Sequence, residues 1–156
     1  MDTRRRVVLR GSLGVMAAAM AIGAGVLTPR AVLAAWPEMA FGAKNMGASL
    51  KELFGANAIT ESDAVTIKVP DIAENGAVVP VAISSSLAGV QSVSILVEGN
   101  PTPLAAFFKL GKGAGGSIST RVKMGKTSNV VAVVQANGKL YSARKQVKVT
   151  VGGCGG

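Results

Sequence analysis

The chain has 156 residues, 49% of them apolar and 16% charged, with 17 Lys plus Arg against 8 Asp plus Glu. That balance suits one globular domain rather than a disordered chain. With no histidine and a single cysteine, it excludes Ser-His-Asp and Cys-His centres, a CxxC redox pair, an internal disulfide and a thiolate zinc cage.

The N-terminus reads Arg4-Arg5-Arg6-Val7-Val8-Leu9-Arg10, followed by a weakly apolar run from Gly11 to Leu27. Adjacent arginines before a hydrophobic pair resemble a twin-arginine export signal, with Val8 where phenylalanine is usual. The small residues of Ala31-Val32-Leu33-Ala34-Ala35 suit signal peptidase, and cleavage is expected after Ala34. The competing reading is a retained membrane anchor, but four glycines make the run too weakly apolar to hold well. No cysteine follows, so a lipoprotein is not expected. Removing residues 1–34 takes away five Arg and one Asp and leaves 12 basic against 7 acidic residues, a net +5. The expected product is periplasmic, with no stable membrane anchor. Its modest charge gives no case for nucleic acid: Lys139, Arg144, Lys145 and Lys148 read as solvated strand positions.

From Trp36 to about Ala58 the spacing predicts a short helical lead-in, with Pro37 in a first turn, Met46, Leu50, Leu53 and Phe54 at intervals of three and four, and Gly55 at its end. Beyond it the period becomes two. Val65, Ile67 and Val69, then Val79, Val81 and Ile83, then Val93, Ile95 and Val97 mark half-buried strands. Further strands are expected over 104–110, 117–124, 127–136 and 139–151. Turns fall at Glu74-Asn75-Gly76, Gly99-Asn100-Pro101, Gly111 to Gly116 and Asn137-Gly138, the last being the strongest hairpin signal. About seven short strands with turns every 8 to 12 residues predict an all-β fold, an immunoglobulin-like antiparallel β-sandwich with a short N-terminal helix and a flexible C-terminal tail. The expected organisation is a signal over 1–34, the helix and sandwich over 35–151, and the tail over 152–156. Phe107 and Phe108 must face opposite sides of a strand: one fills the core, and the other meets a partner or lies under a loop.

Gly111-Lys112-Gly113-Ala114-Gly115-Gly116 lacks the Gly-Lys-Ser/Thr ending and strand-to-helix setting of a phosphate loop, so a flexible hairpin loop is expected. Glu61, Asp63, Asp71 and Glu74 sit at strand ends and turns without ligand spacing, so no metal site and no catalytic acid or base is expected.

The last strand, Val147-Lys148-Val149-Thr150-Val151, runs into Gly152-Gly153-Cys154-Gly155-Gly156. A lone cysteine is usually a buried small hydrophobe. Here four glycines remove every neighbouring side chain that could cover the sulfur and free the backbone, so the thiol is expected to be presented. Five Gly-rich residues span roughly 12 Å, enough to enter another protein's pocket. At an ordinary thiol pKa near 8.5 only about 3% is thiolate at pH 7. That favours a substrate handle activated by its partners over a nucleophilic enzyme.

The tail motif, together with Glu74-Asn75-Gly76-Ala77-Val78-Val79-Pro80-Val81 and Asn100-Pro101 with Pro103-Leu104-Ala105, resembles the SoxY family of the periplasmic thiosulfate-oxidising system. The resemblance spans about Trp36 to Gly156. It implies a non-enzymatic sulfur carrier without cofactors, in which Cys154 is the covalent attachment site and Gly152, Gly153, Gly155 and Gly156 form a swinging arm. It also implies a heterodimer with a SoxZ-like subunit, coupling of thiosulfate by a SoxAX-type cytochrome as cysteine S-thiosulfonate, sulfate release by a SoxB-type hydrolase and, in some organisms, a sulfane dehydrogenase.

Two other classes compete. One is an exported structural immunoglobulin-like module whose cysteine makes only disulfide-linked dimers. The other is a metal chaperone using Cys154 with Met39, Met46 or Met124, although those methionines read more simply as core.

Overall fold

Alternating apolar residues build the strands of a two-sheet sandwich in the computed structural model, which describes residues 36–56 and 58–150. The chain divides into two compact units, residues 1–36 and Pro37–Gly156. Of the first only Trp36 is described, and the expected signal over 1–34 and the tail over 152–156 lie outside the described residues.

Among the described residues two short helices come first, α1 (Glu38–Gly42) and α2 (Met46–Phe54). The expected single lead-in is broken because Ala43 is extended and Asn45 caps a new helix, its Oδ1 accepting from the Ala48 N–H at 2.8 Å. Gly55 ends α2 in the left-handed conformation, φ 70°, with its N–H donating to the Lys51 carbonyl at 2.8 Å.

Nine strands follow among the described residues: β1 (Thr60–Glu61), β2 (Val65–Lys68), β3 (Ile72–Ala73), β4 (Val79–Ser85), β5 (Val90–Val97), β6 (Leu104–Lys109), β7 (Ile118–Val122), β8 (Ser128–Ala136) and β9 (Lys139–Val149). The larger sheet has the order β1-β9-β8-β5-β6, with β3 also on β9, and the smaller has the order β2-β4-β7. Every pairing is antiparallel except β1 and β3, which run parallel to β9. The segment 60–73 therefore laces the sandwich, leaving the β9 edge after β1, crossing to the smaller sheet as β2, and returning as β3. At the far end of the hairpin, Asn137 and Gly138 both have positive φ, 50° and 74°. This is the mirror-image turn that matches strand twist.

Between the sheets lie Val79, Val81 and Ile83 of β4, Val93, Ile95 and Val97 of β5, Val130, Ala132 and Val134 of β8, and Met124, all buried. A second apolar layer forms on the outer face of the larger sheet, where Ala40 and Leu50 of the helices cover Leu96, Leu104, Val131, Val133 and Leu140. β5 and β8 are thus covered on both faces, which is why β8 reads as the nearly unbroken apolar run Val130-Val131-Ala132-Val133-Val134. Phe108 packs into the inter-sheet core, while Phe107 meets Phe54 of α2 edge to face. The Gly111 to Gly116 segment is not a hairpin: it links β6 of the larger sheet to β7 of the smaller one, turning at Gly113 with φ 83°.

Candidate functional site

The attachment site expected from the sequence is Cys154 with Gly152, Gly153, Gly155 and Gly156 about it, and all five lie outside the described residues. What is described is the strand leading to them. β9 keeps its antiparallel pairing with β8 as far as Val147, opposite Ser128. Past that point it is held from two sides. On one edge β3 takes over: the Lys148 N–H donates to the Asp71 carbonyl at 2.9 Å and the Thr150 N–H to the Ala73 carbonyl at 3.1 Å. On the other edge Thr127 stands in for a strand. Its Oγ1 accepts from the Val149 N–H at 2.9 Å and donates to the Val149 carbonyl at 3.4 Å.

Beneath this segment runs the Asn75-Gly76 turn, in which the Asn75 side chain accepts from the Ala77 N–H at 2.9 Å. The Gly76 carbonyl accepts from the Met124 N–H at 2.7 Å. A Cβ at Gly76 would collide with the Met124 carbonyl oxygen and stand 2.8 Å from Val149 Cγ1. On the far side of the same β7–β8 loop, Asn100 donates to the Lys123 carbonyl at 2.7 Å and accepts from the Gly125 N–H at 3.0 Å. Asn100, Pro101, Thr102, Ala105, Lys123 and Gly125 line an open cleft of about 560 Å³.

Three stretches that the sequence singled out separately, Asn75-Gly76, Asn100 to Ala105 and the strand into the tail, therefore converge on the loop of residues 123–127. Sequence reasoning missed Thr127 and β3. A threonine beside a turn is a common donor and acceptor to nearby backbone, which was the available signal, whereas a two-residue strand has no period to read.

The other candidates do not assemble. Among the described residues the ion pairs are Arg144 with Glu61 at 3.4 Å and Lys145 with Asp71 at 3.0 Å, both solvent-exposed. Asp63 and Glu74 are exposed. Lys123, Lys126 and Lys148 are also exposed, belong to neither pair, and give the root of the tail positive charge that attracts anions. No group of three His, Cys, Asp or Glu that could hold a metal occurs among the described residues. Met124 is buried between the sheets, Met46 lies in the helix layer on the opposite face of the larger sheet, and Met39 is exposed, so these methionines are not brought together. No described helix is long and apolar enough to cross a membrane.

A family model described as "Sulfur oxidation protein SoxY" matches residues 50–154, from the middle of α2 to the cysteine itself. The chain belongs to the SoxY family. Among solved structures it is similar to the sulfur carrier protein SoxY from Chlorobium limicola f thiosulfatophilum, at 45% identity and a TM-score of 0.60 over 66% of this chain and 94% of that one. It is also similar to a superoxide reductase (neelaredoxin) from Ignicoccus hospitalis, at 16% identity and a TM-score of 0.52 over 59% of this chain and 94% of that one. That second likeness is one of fold alone. No curated protein matches. As a SoxY member the chain works in sulfur oxidation within a Sox system. Its SoxY match takes in both the hydrogen-bonded end of β9 and the Asn100 cleft.

Proposed function

We propose that this chain is a covalent carrier of sulfur intermediates in thiosulfate oxidation, with substrate attached to Cys154 and presented to partner enzymes. The observation that carries this reading is the SoxY match over residues 50–154, whose last residue is the single cysteine of the chain. The Chlorobium relative, a sulfur carrier protein, supports it.

Coupling joins the Cys154 sulfur to the outer sulfur of thiosulfate. The thiol gives up its proton, two electrons pass to a SoxAX-type c-type cytochrome, and cysteine S-thiosulfonate results. Water then attacks the sulfonate sulfur in the site of a SoxB-type hydrolase. The bond between the two thiosulfate sulfurs breaks, sulfate and a proton leave, and the outer sulfur stays on Cys154 as a persulfide for a sulfane dehydrogenase or a storage route. The chain catalyses none of these steps. Four glycines let the thiol turn into differently shaped sites, and a thiol without strong activation stays quiet between visits.

The same reading includes a heterodimer with a SoxZ-like subunit and export to the periplasm by the twin-arginine route, supported by Arg5-Arg6 and the small residues before Ala35. The test is thiosulfate-dependent cytochrome reduction in a system reconstituted from the heterodimer and its partner enzymes. Cys154→Ser is expected to abolish it, and survival of the activity would sink the carrier reading.

A further inference from the structure

The outermost strands of each sheet turn a row of N–H and C=O groups away from the ladder, and such an edge pairs with another chain unless something blunts it. Among the described residues most edges are blunted. β1 and β3 have two residues each, β2 has four and ends at Lys68 just before Val69-Pro70, and β7 carries the exposed Arg121. β6 is different. It has six residues, Leu104-Ala105-Ala106-Phe107-Phe108-Lys109, with no proline and no charge before the last of them, and it pairs with β5 alone.

The Asn100 cleft lies beside this edge. Its wall is built from the β5–β6 turn, from Ala105 of β6, and from Lys123 and Gly125 just after β7. Ala105 reaches that wall because it is bulged: Ile95 stands opposite Ala106 and Leu96 opposite Leu104, which leaves Ala105 unpaired, and both alanines pack against the inter-sheet core. A strand laid along β6 would satisfy the outward backbone groups, and its alternate side chains would point toward the cleft. The lining then states what such a strand must carry. Pro101 and Ala105 offer apolar surface, Lys123 is the one charge in the wall, and neither β6 nor the cleft contributes a carboxylate. A second copy of this chain does not suit: antiparallel pairing of β6 with itself brings Lys109 of one copy to the start of the other's β6, where Lys123 stands, and supplies no carboxylate to either.

We infer that the free edge of β6 and the Asn100 cleft together form the surface on which the partner subunit adds an extended strand bearing a carboxylate next to an apolar side chain. The inference rests on the heterodimer proposed above and goes beyond it in assigning the surface and the kind of segment that binds there. Main-chain hydrogen bonds along β6 give the contact its strength, while the cleft and Lys123 select the partner.

The experiment uses the chain co-expressed with its SoxZ-like subunit. Amide hydrogen exchange over residues 104–109 is compared between the isolated chain and the heterodimer, with Val65–Lys68 of β2 as internal control, and the dissociation constant is measured for the unaltered chain, Lys123→Glu and Ala105→Lys. Amides of β6 that exchange in the isolated chain are expected to slow about a hundredfold in the heterodimer, with β2 unchanged. Lys123→Glu is expected to weaken association about tenfold, and Ala105→Lys, which puts a charged chain into the cleft, about a hundredfold. Unfolding midpoints of the isolated variants show that they fold. If Ala105→Lys does not, the exposed Lys123→Glu carries the test alone. A heterodimer in which β6 exchanges as it does in the isolated chain overturns the inference and leaves the heterodimer standing. So does unchanged affinity of Lys123→Glu, or β6 protection that arises in a dimer of this chain by itself. Failure of the two subunits to associate at all sinks the heterodimer reading, and this inference with it.

Discussion

Gly76 and Val149 are packed so closely that a Cβ on the glycine would stand 2.8 Å from Val149 Cγ1 and run into the Met124 carbonyl oxygen. Neither neighbour can swing away cheaply, since one is backbone and the other is a β-branched side chain held in a strand. Gly76→Ala is therefore expected to destabilise the fold by about 1 to 3 kcal/mol, the usual range for forced overpacking. The strain falls on the turn and on the last residues of β9. Denaturant unfolding gives the size of the effect, and amide exchange at Val149 and Met124 gives its place. An alanine variant as stable as the parent would show that the Asn75-Gly76 turn can move aside.

Gly138 shows the other reason for a glycine. Nothing lies within 4 Å of where its Cβ would be, but its φ is 74°. Gly138→Ala is expected to cost about 1 to 2 kcal/mol through backbone conformation alone. Thiosulfate turnover should not change, because the turn is a hairpin length away from the strand end that leads to Cys154. A midpoint shift with normal turnover is the expected pair of results.

Phe54 and Phe107 meet with ring centroids 6.1 Å apart and planes at 73°, fastening α2 to the edge strand β6. A double-mutant cycle of Phe54→Ala and Phe107→Ala is expected to show a coupling of about 1 kcal/mol. A coupling near zero would mean that the two rings contribute only by their separate burial.

The fold was legible where one face of a strand is wet. In β4 the sequence alternates Val79, Pro80, Val81, Ala82, Ile83, and the three residues marked as apolar are the buried ones. Gly55 and Asn137-Gly138 were equally plain, because each occupies a backbone conformation that few other residues tolerate. The helix layer was harder. Its imprint is the unbroken apolar run of β8, which by periodicity alone could also be a strand inside a simple two-sheet core. Asn45 split the expected helix by capping a second one, a local competition that the apolar spacing across it does not reveal. The two short parallel strands on β9 had no pattern of their own, and their existence depends on β9 being there to pair with.

At the candidate site the sequence marked the proposed attachment point, a single cysteine among glycines, and it marked the Asn75-Gly76 and Asn100 segments as turns and through likeness to a family. What it did not contain was their meeting place. Residues 75, 100, 127 and 149 come together because three connections between strands end at one end of the sandwich, which is a property of topology. Thr127 looked like the first residue of an ordinary strand, and its hydrogen bonds with Val149 follow only from the fold that stands it beside that residue.

The most direct test of the central claim is intact-mass spectrometry of the mature protein purified from thiosulfate-grown cells, with and without reductant, beside Cys154→Ser. The account predicts reductant-sensitive additions with the composition of sulfur, thiosulfate or sulfonate, mapping to the peptide that contains Cys154 and absent from the variant. A protein found only as free thiol or as a disulfide-linked dimer under those conditions would contradict it.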